Sequence, residues 1–158
     1  MHKLLLLIIA AISLGGAFKY FHDRSNSPQS SAASSSQQQP TRSVQGQVLT
    51  SSAMPALRLK FNQDFKYVGS QDFILYDVAR AEQHFFVDAD KEGRIRRLYW
   101  VQFEGYLPSN TNTYRYKATR TVKIGGLDFI ADAYARNTRA NPGRADSDGS
   151  RARAYLEK

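Results

Sequence analysis

Cysteine is missing from all 158 residues. That excludes a disulfide framework, a thiolate-ligated zinc, a cysteine nucleophile and a lipid-modified cysteine at a processed N-terminus. Histidine is scarce. His2 and His22 flank an N-terminal apolar run, which leaves His84 as the one histidine of the remaining chain. A histidine-rich metal site is therefore excluded, as is a Ser-His-Asp triad built on any other histidine. No asparagine is followed two positions on by Ser or Thr, so N-glycosylation is not expected. Gly-x-Ser-x-Gly, a phosphate-binding Gly-Lys-Ser/Thr loop and His-Glu-x-x-His are all absent. No cofactor is implied by any motif. Internal repeats are lacking too.

What is present begins with the leader. Met1-His2-Lys3 is a short basic head, and Leu4 to Phe18 is a stretch of fifteen residues without a charge. Such a run suits a secretory hydrophobic segment and falls short of the roughly 18–20 residues of a full membrane span. Gly15 and Ala17 are small and two apart, which permits cleavage after Ala17. Phe18, Tyr20 and Phe21 extend the apolar stretch and suit a headgroup zone, with Lys19 able to snorkel. Residues 1–24 therefore read as a signal peptide or an N-terminal membrane anchor. The expected location is extracytoplasmic, secreted, periplasmic or held as a single-pass membrane protein, although the charges flanking the run (Lys3 before it; Lys19, Asp23 and Arg24 after it) do not set the orientation of a retained anchor. A buried N-terminal helix in a cytosolic protein is the alternative.

Residues 25–53 contain ten Ser and six Gln. That composition cannot bury enough apolar surface to offset chain entropy, so it reads as a flexible tether. By coil scaling it would span about 30 Å. One domain then remains, 54–158, large enough for a single modest core.

The first half of that domain carries strand patterns. Leu57, Leu59 and Phe61 alternate with Arg58 and Lys60. Phe65 and Tyr67 precede a break at Gly69-Ser70. Phe73–Val78, His84–Asp88 and Arg94–Tyr106 are rich in β-branched and aromatic residues, and Tyr114, Tyr116 and Thr121–Ile124 follow. After Gly125-Gly126 the period becomes helical: Leu127, Ile130, Ala131 and Tyr134 share a face. Asp146 or Asp148 can cap a last helix carrying Ala152, Tyr155 and Leu156. The expected class is α+β: an antiparallel sheet of five to six strands with one or two C-terminal helices on one face.

Asp88-Ala89-Asp90-Lys91-Glu92-Gly93 admits two readings. Asp88, Asp90 and Glu92 stand at positions 1, 3 and 5 of a calcium-type loop with Gly93 at 6, but Tyr99 occupies position 12, where a bidentate Glu belongs. A hairpin with Gly93 left-handed after a type I turn explains the residues more simply. The acidic cluster Asp146-Ser147-Asp148 reads as a helix cap.

The hairpin predicts faces. If Asp90 pairs with Arg94, Asp88 opposes Arg96, Phe86 opposes Leu98, His84 opposes Trp100 and Glu82 opposes Gln102. One face then carries Glu82, His84, Arg96, Trp100, Gln102 and Glu104. The other carries Phe85, Val87, Ile95, Tyr99, Val101 and Phe103 and packs on the helices. Polar groups beside an aromatic plate suit a ligand site, so Trp100, Arg96, Gln102 and His84 are candidate ligand-binding residues. The plainer alternative is a solvated sheet face. His84 with Glu82 or Glu104 could also supply acid–base chemistry. A one-residue slip would exchange the neighbours.

The formal charge of +8 is uneven. Residues 54–111 are neutral, whereas 112–158 hold ten basic and five acidic residues. Arg136, Arg139, Arg144, Arg151 and Arg153 form a candidate basic patch for anionic lipid or envelope polymer. No nucleic-acid-binding motif accompanies them. The function expected is non-enzymatic binding of a small or amphipathic ligand, or of a protein partner, by the antiparallel sheet. The alternatives are an enzyme using His84 and an adaptor with basic C-terminal helices.

Overall fold

The structure, a computed structural model, describes residues 5–12, 41–52, 54–111, 120–133 and 143–158. Its strands are β1 Leu5–Ile12, β2 Arg42–Gln45, β3 Val48–Ser51, β4 Leu57–Lys60, β5 Lys66–Leu75, β6 Ala79–Ala89, β7 Ile95–Tyr106, β8 Thr121–Ile124 and β9 Leu127–Ile130, and the helix is α1 Asp148–Leu156. Every strand pairing is antiparallel. In place of one sheet of five to six strands there are three. The four-stranded sheet runs β1-β7-β6-β5, the three-stranded sheet β2-β3-β4, and β8-β9 is a separate ribbon.

Strands β2 and β3 correct the expected extent of the tether. Arg42-Ser43-Val44-Gln45 alternates in burial, and Leu49 is wholly buried. The Ser and Gln that suggest a coil are concentrated before Thr41; Val44, Val48 and Leu49 supply the apolar face that follows. The segment expected to enter a membrane contains an edge strand here, with Leu5–Ile12 lying antiparallel along Ile12↔Arg97 to Leu5↔Glu104 of β7. Among the described residues no helix is long and apolar enough to cross a membrane.

The β6–β7 turn forms as its residues require. Gly93 donates to the Asp90 carbonyl at 3.1 Å with φ +78°, and Asp90 N–H bonds Arg94 at 3.0 Å. Asp90 Oδ1 accepts from the Glu92 and Arg94 amides at 3.1 and 2.9 Å, closing the turn locally. Ala89 still faces Ile95 as expected, but Asp88 faces Arg97. Arg96 is thus the extra residue of a bulge, and beyond it the register moves by one. His84 opposes Val101, not Trp100, and Glu82 opposes Phe103, not Gln102. The slip has a charge rationale. It lets Arg96 and Arg97 both reach the buried Asp88 carboxylate, each at 2.7 Å.

The register decides which layer each residue joins. On one face of the large sheet, Phe85, Val87, Ile95 and Trp100 meet Ala152 and Leu156 of α1, with Tyr155 stacked on Phe85 at 5.0 Å. On the other, Phe86, Val101 and Phe103 meet Leu49 and Phe65, with Tyr99, Phe61 and Tyr67 packed around them. Both faces are therefore covered, and each large side chain so buried contributes about 1.5–3 kcal/mol.

Two further expectations change. Gly69-Ser70 does not break a strand: β5 runs through it with a bulge between Tyr67 and Gly69, and Gly69 has φ +129°. Its missing side chain makes room for the Tyr155 hydroxyl. The β5–β6 turn instead falls inside the Phe73–Val78 run, at Tyr76 and Asp77, with φ +52° and +57°. Leu127–Ile130, expected as the start of a helix, is the return strand of a hairpin whose turn is Gly125-Gly126, φ +57° and +84°. Such paired left-handed glycines favour a two-residue hairpin over a helix start. Tyr114, Tyr116 and Tyr134 lie outside the described residues. The last helix forms, capped by Ser147, whose hydroxyl accepts from Ser150 N–H, with Asp148 in the first turn.

Candidate functional site

The buried polar chain that crosses β2, β5 and β6 is the most organised cluster of titratable groups. Glu82 and His84 are two apart on β6 and so share a face. Glu82 Oε1 lies 2.7 Å from His84 Nε2. His84 Nδ1 lies 3.2 Å from the Tyr67 hydroxyl on β5. From β2, Arg42 donates to Glu82 Oε2 at 2.6 Å and to the Met54 carbonyl at 3.2 Å. Its guanidinium also rests 3.8 Å above the Phe103 ring. His84 thus has a partner at each ring nitrogen, Nε2 donating to Glu82 and Nδ1 meeting the Tyr67 hydroxyl.

Electrostatics follow from that order. Burial raises the Glu82 pKa, the largest single effect. The hydrogen bond from His84 and the charge and hydrogen bond of Arg42 together outweigh it, and the carboxyl is held below its usual range. Burial pushes the Tyr67 phenol up. The Arg42 and His84 side chains are each only 5% exposed, whereas Glu82 is 27% exposed. Solvent therefore reaches this cluster mainly at the carboxylate, which already has two partners.

Of the candidate catalytic residues, His84 and Glu82 are brought together. Glu104 is not; it belongs to a polar row on the helix-covered face. In that row Gln71 donates to Gln83 at 2.7 Å, Gln83 to Gln102 at 2.8 Å and Gln102 to Glu104 at 3.0 Å. Gln83 also donates to the Asp148 carbonyl at 3.2 Å, tying the start of α1 to the sheet. Gln83 and Gln102 are fully buried.

The candidate ligand residues are dispersed by the bulge. Trp100 lies beneath α1 with its indole N–H unpartnered among the described residues. Gln102 is in the amide row, His84 is on the opposite face, and Arg96 points to Asp88 at the turn end. The loop carboxylates are likewise separated. Asp88 is clamped by its two arginines, Asp90 closes the turn, and Glu92 pairs with Arg94 at 3.2 Å. Among the described residues no three His, Asp or Glu side chains gather as metal ligands.

The basic patch is also not a bare cluster. Arg144 is bidentate to Asp146 and covers Tyr76, Arg151 covers Phe73 at 4.7 Å, and Arg153 is engaged on α1. Arg136 and Arg139 lie outside the described residues. Sequence reasoning misses Arg42, hidden within the apparent tether, and Tyr67, whose partner is set by the β5 register. The Arg-Ser-Val-Gln alternation after Pro40 is the signal that could have found Arg42. No known protein family, no curated protein and no solved structure matches the chain.

Proposed function

We propose that this chain is an extracytoplasmic binding domain, delivered or held at a membrane by its N-terminal segment, that engages a protein or amphipathic partner without catalysing a reaction. The observation that carries the non-catalytic reading is the state of Glu82 and His84. Their hydrogen-bonding atoms are committed to each other, to Arg42 and to Tyr67 beneath a second sheet. The enzyme reading needs one of these atoms to turn toward a substrate. That would strand a buried arginine or phenol.

The binding surface we assign lies at the end of the large sheet, not on its covered faces. Ile74, Tyr76 and Val78 are 37%, 40% and 36% exposed around the β5–β6 turn. The two central turn residues hold left-handed backbone without glycine, a costly arrangement retained where neighbours enforce it. Arg144 provides one such restraint, its guanidinium 4.3 Å over the Tyr76 ring. β5 is also the terminal strand of its sheet among the described residues, so an extended partner segment could add alongside it.

The export part of this reading rests on the leader sequence. It assigns Leu5–Ile12 to the membrane or to a removed peptide, and the β7 edge would then be open in the mature domain. A photo-crosslinking residue at Ile74 in the host cell tests the binding part. The expected result is a discrete adduct that disappears with Tyr76→Asp. An adduct from a control position such as Arg58 and none from Ile74 would overturn the assignment.

A further inference from the structure

The same eight residues, Leu5–Ile12, lie within the uncharged run of the leader and form β1, the terminal strand of the four-stranded sheet among the described residues. As β1 they pair antiparallel with Arg97–Glu104, eight of the twelve residues of β7. That stretch of β7 contributes to both cores, through Trp100 beneath α1 and through Val101 and Phe103 against Leu49 and Phe65. The composition of β1 suits two conformations. Its leucines and alanines favour a helix and its three isoleucines a strand, and no Gly, Pro or charge interrupts them.

Backbone hydrogen bonding makes those conformations exclusive. In an antiparallel edge strand, about half of the peptide groups bond the neighbour and the others face outward. Water satisfies the outward groups, whereas hydrocarbon does not. A single segment entering a bilayer satisfies its peptide groups only as a helix, and so has to leave β7. We propose that Leu5–Ile12 is an exchangeable strand for which the β7 edge and the bilayer compete. Folding of the domain withdraws the leader from the membrane, and insertion of the leader uncovers β7. The inference rests on the leader reading given above and deepens it, because it names the site on this chain that opposes the leader. Order of events then matters: a chain engaged by a membrane before its sheet closes delivers the leader, and a chain that folds first keeps it docked.

The absence of cysteine makes the test direct. Ile8 and Val101 are Cα partners across β1 and β7, so the full chain carrying Ile8→Cys and Val101→Cys closes a disulfide that locks the strand. Folded chain, oxidised or reduced, is mixed with phosphatidylcholine vesicles, whose headgroups carry no net charge to hold the basic residues. The expected result is an intramolecular disulfide, co-flotation of the reduced chain, and an apparent lipid affinity about tenfold or more lower for the locked chain, whose insertion-competent fraction is removed. Dithiothreitol restores co-flotation, and each single-cysteine variant floats like the reduced chain whether or not oxidant is present. Ala11→Cys with Leu98→Cys, a partner pair outside the fully buried core, gives a second lock should Val101→Cys unfold the chain.

Three results would overturn the proposal. If neither cysteine pair closes in the folded chain, β1 is not on β7. If locked and reduced chains float alike, docking does not exclude insertion. If neither floats, the bilayer does not compete for the segment. Because vesicles are added directly, a chain that is never exported still gives the expected result, and an exported chain can give any of the three contrary ones. The exchange and the extracytoplasmic reading therefore fail separately.

Discussion

Arg42→Met is the most informative single substitution, because Arg42 comes from a stretch that composition assigns to a tether. Methionine keeps an apolar stem of similar length, so loss of burial is small. What is lost is the charge-assisted bond to Glu82, worth about 1.5–3 kcal/mol, and the contact over Phe103, about 0.5–2 kcal/mol. Glu82 is 27% exposed and can recover some hydration, which brings the sum to about 2 kcal/mol. For a domain of this size that lowers Tm by about 8–16 °C.

The pH dependence has a definite sign. The Glu82 carboxyl is held below its usual range in the folded chain. Its contribution is present above the ordinary glutamate value of about 4.3 and is lost as pH falls through the lower folded value. Arg42→Met should flatten that acid limb. A double-mutant cycle with Glu82→Gln in urea should return a coupling of about 1–2 kcal/mol at pH 7 that shrinks as pH falls through the lowered Glu82 value. A melting point within about 2 °C of wild type would refute the reasoning. It would mean that Arg42–Ser51 does not pack on the sheet.

Other substitutions probe separate joints. Asp88→Asn should cost about 1–2 kcal/mol at neutral pH, toward the low end for a clamped carboxylate because the Arg96 and Arg97 side chains are 62% and 49% exposed. The hydrogen bond from Arg96, opposed by burial and reinforced by Arg97, holds Asp88 low, so the deficit should shrink as pH falls through that lowered value and the wild type is protonated. Gly69→Ala places a methyl where the Tyr155 hydroxyl sits and forces a non-glycine residue to φ +129°, a loss of about 2–4 kcal/mol by urea denaturation. Tyr155→Phe in that background should restore only the steric part. Gln83→Leu should cost about 1–3 kcal/mol and loosen the start of α1, seen as faster amide exchange at Arg151 and Ala152.

The strands legible in advance were β4, from two-residue alternation, and the body of β6, β7 and β8, from short runs of β-branched and aromatic residues. The β6–β7 turn was legible as well, because Asp90 and Gly93 each have one conformational job there. The faces beyond it were not. A bulge at Arg96 leaves no mark in hydrophobic period, since Arg96 and Arg97 are both polar and either can be the extra residue. It is fixed by the pull of a carboxylate eight or nine positions away. The same slip separates His84 from Trp100 and dissolves the expected ligand face. Glu82 and His84 stayed together because their relation is local, two residues along one strand. Arg42 was hidden by averaging: a window from 25 to 53 mixes a Ser/Gln run with two real strands. Leu127–Ile130 has apolar spacing compatible with a helix, and only the paired left-handed glycines before it decide for a hairpin.

The central claim, a domain that works outside the cytoplasm after its leader enters or crosses a membrane, is tested most directly by fractionating the host and measuring the mass of the native N-terminus. The account predicts recovery in the membrane or the extracytoplasmic fraction, either as a chain beginning at Met1 and extracted only by detergent, or as one beginning at Phe18. An intact chain beginning at Met1 and freely soluble in the cytosolic fraction would contradict it, and would leave Leu5–Ile12 as the permanent edge strand of β7.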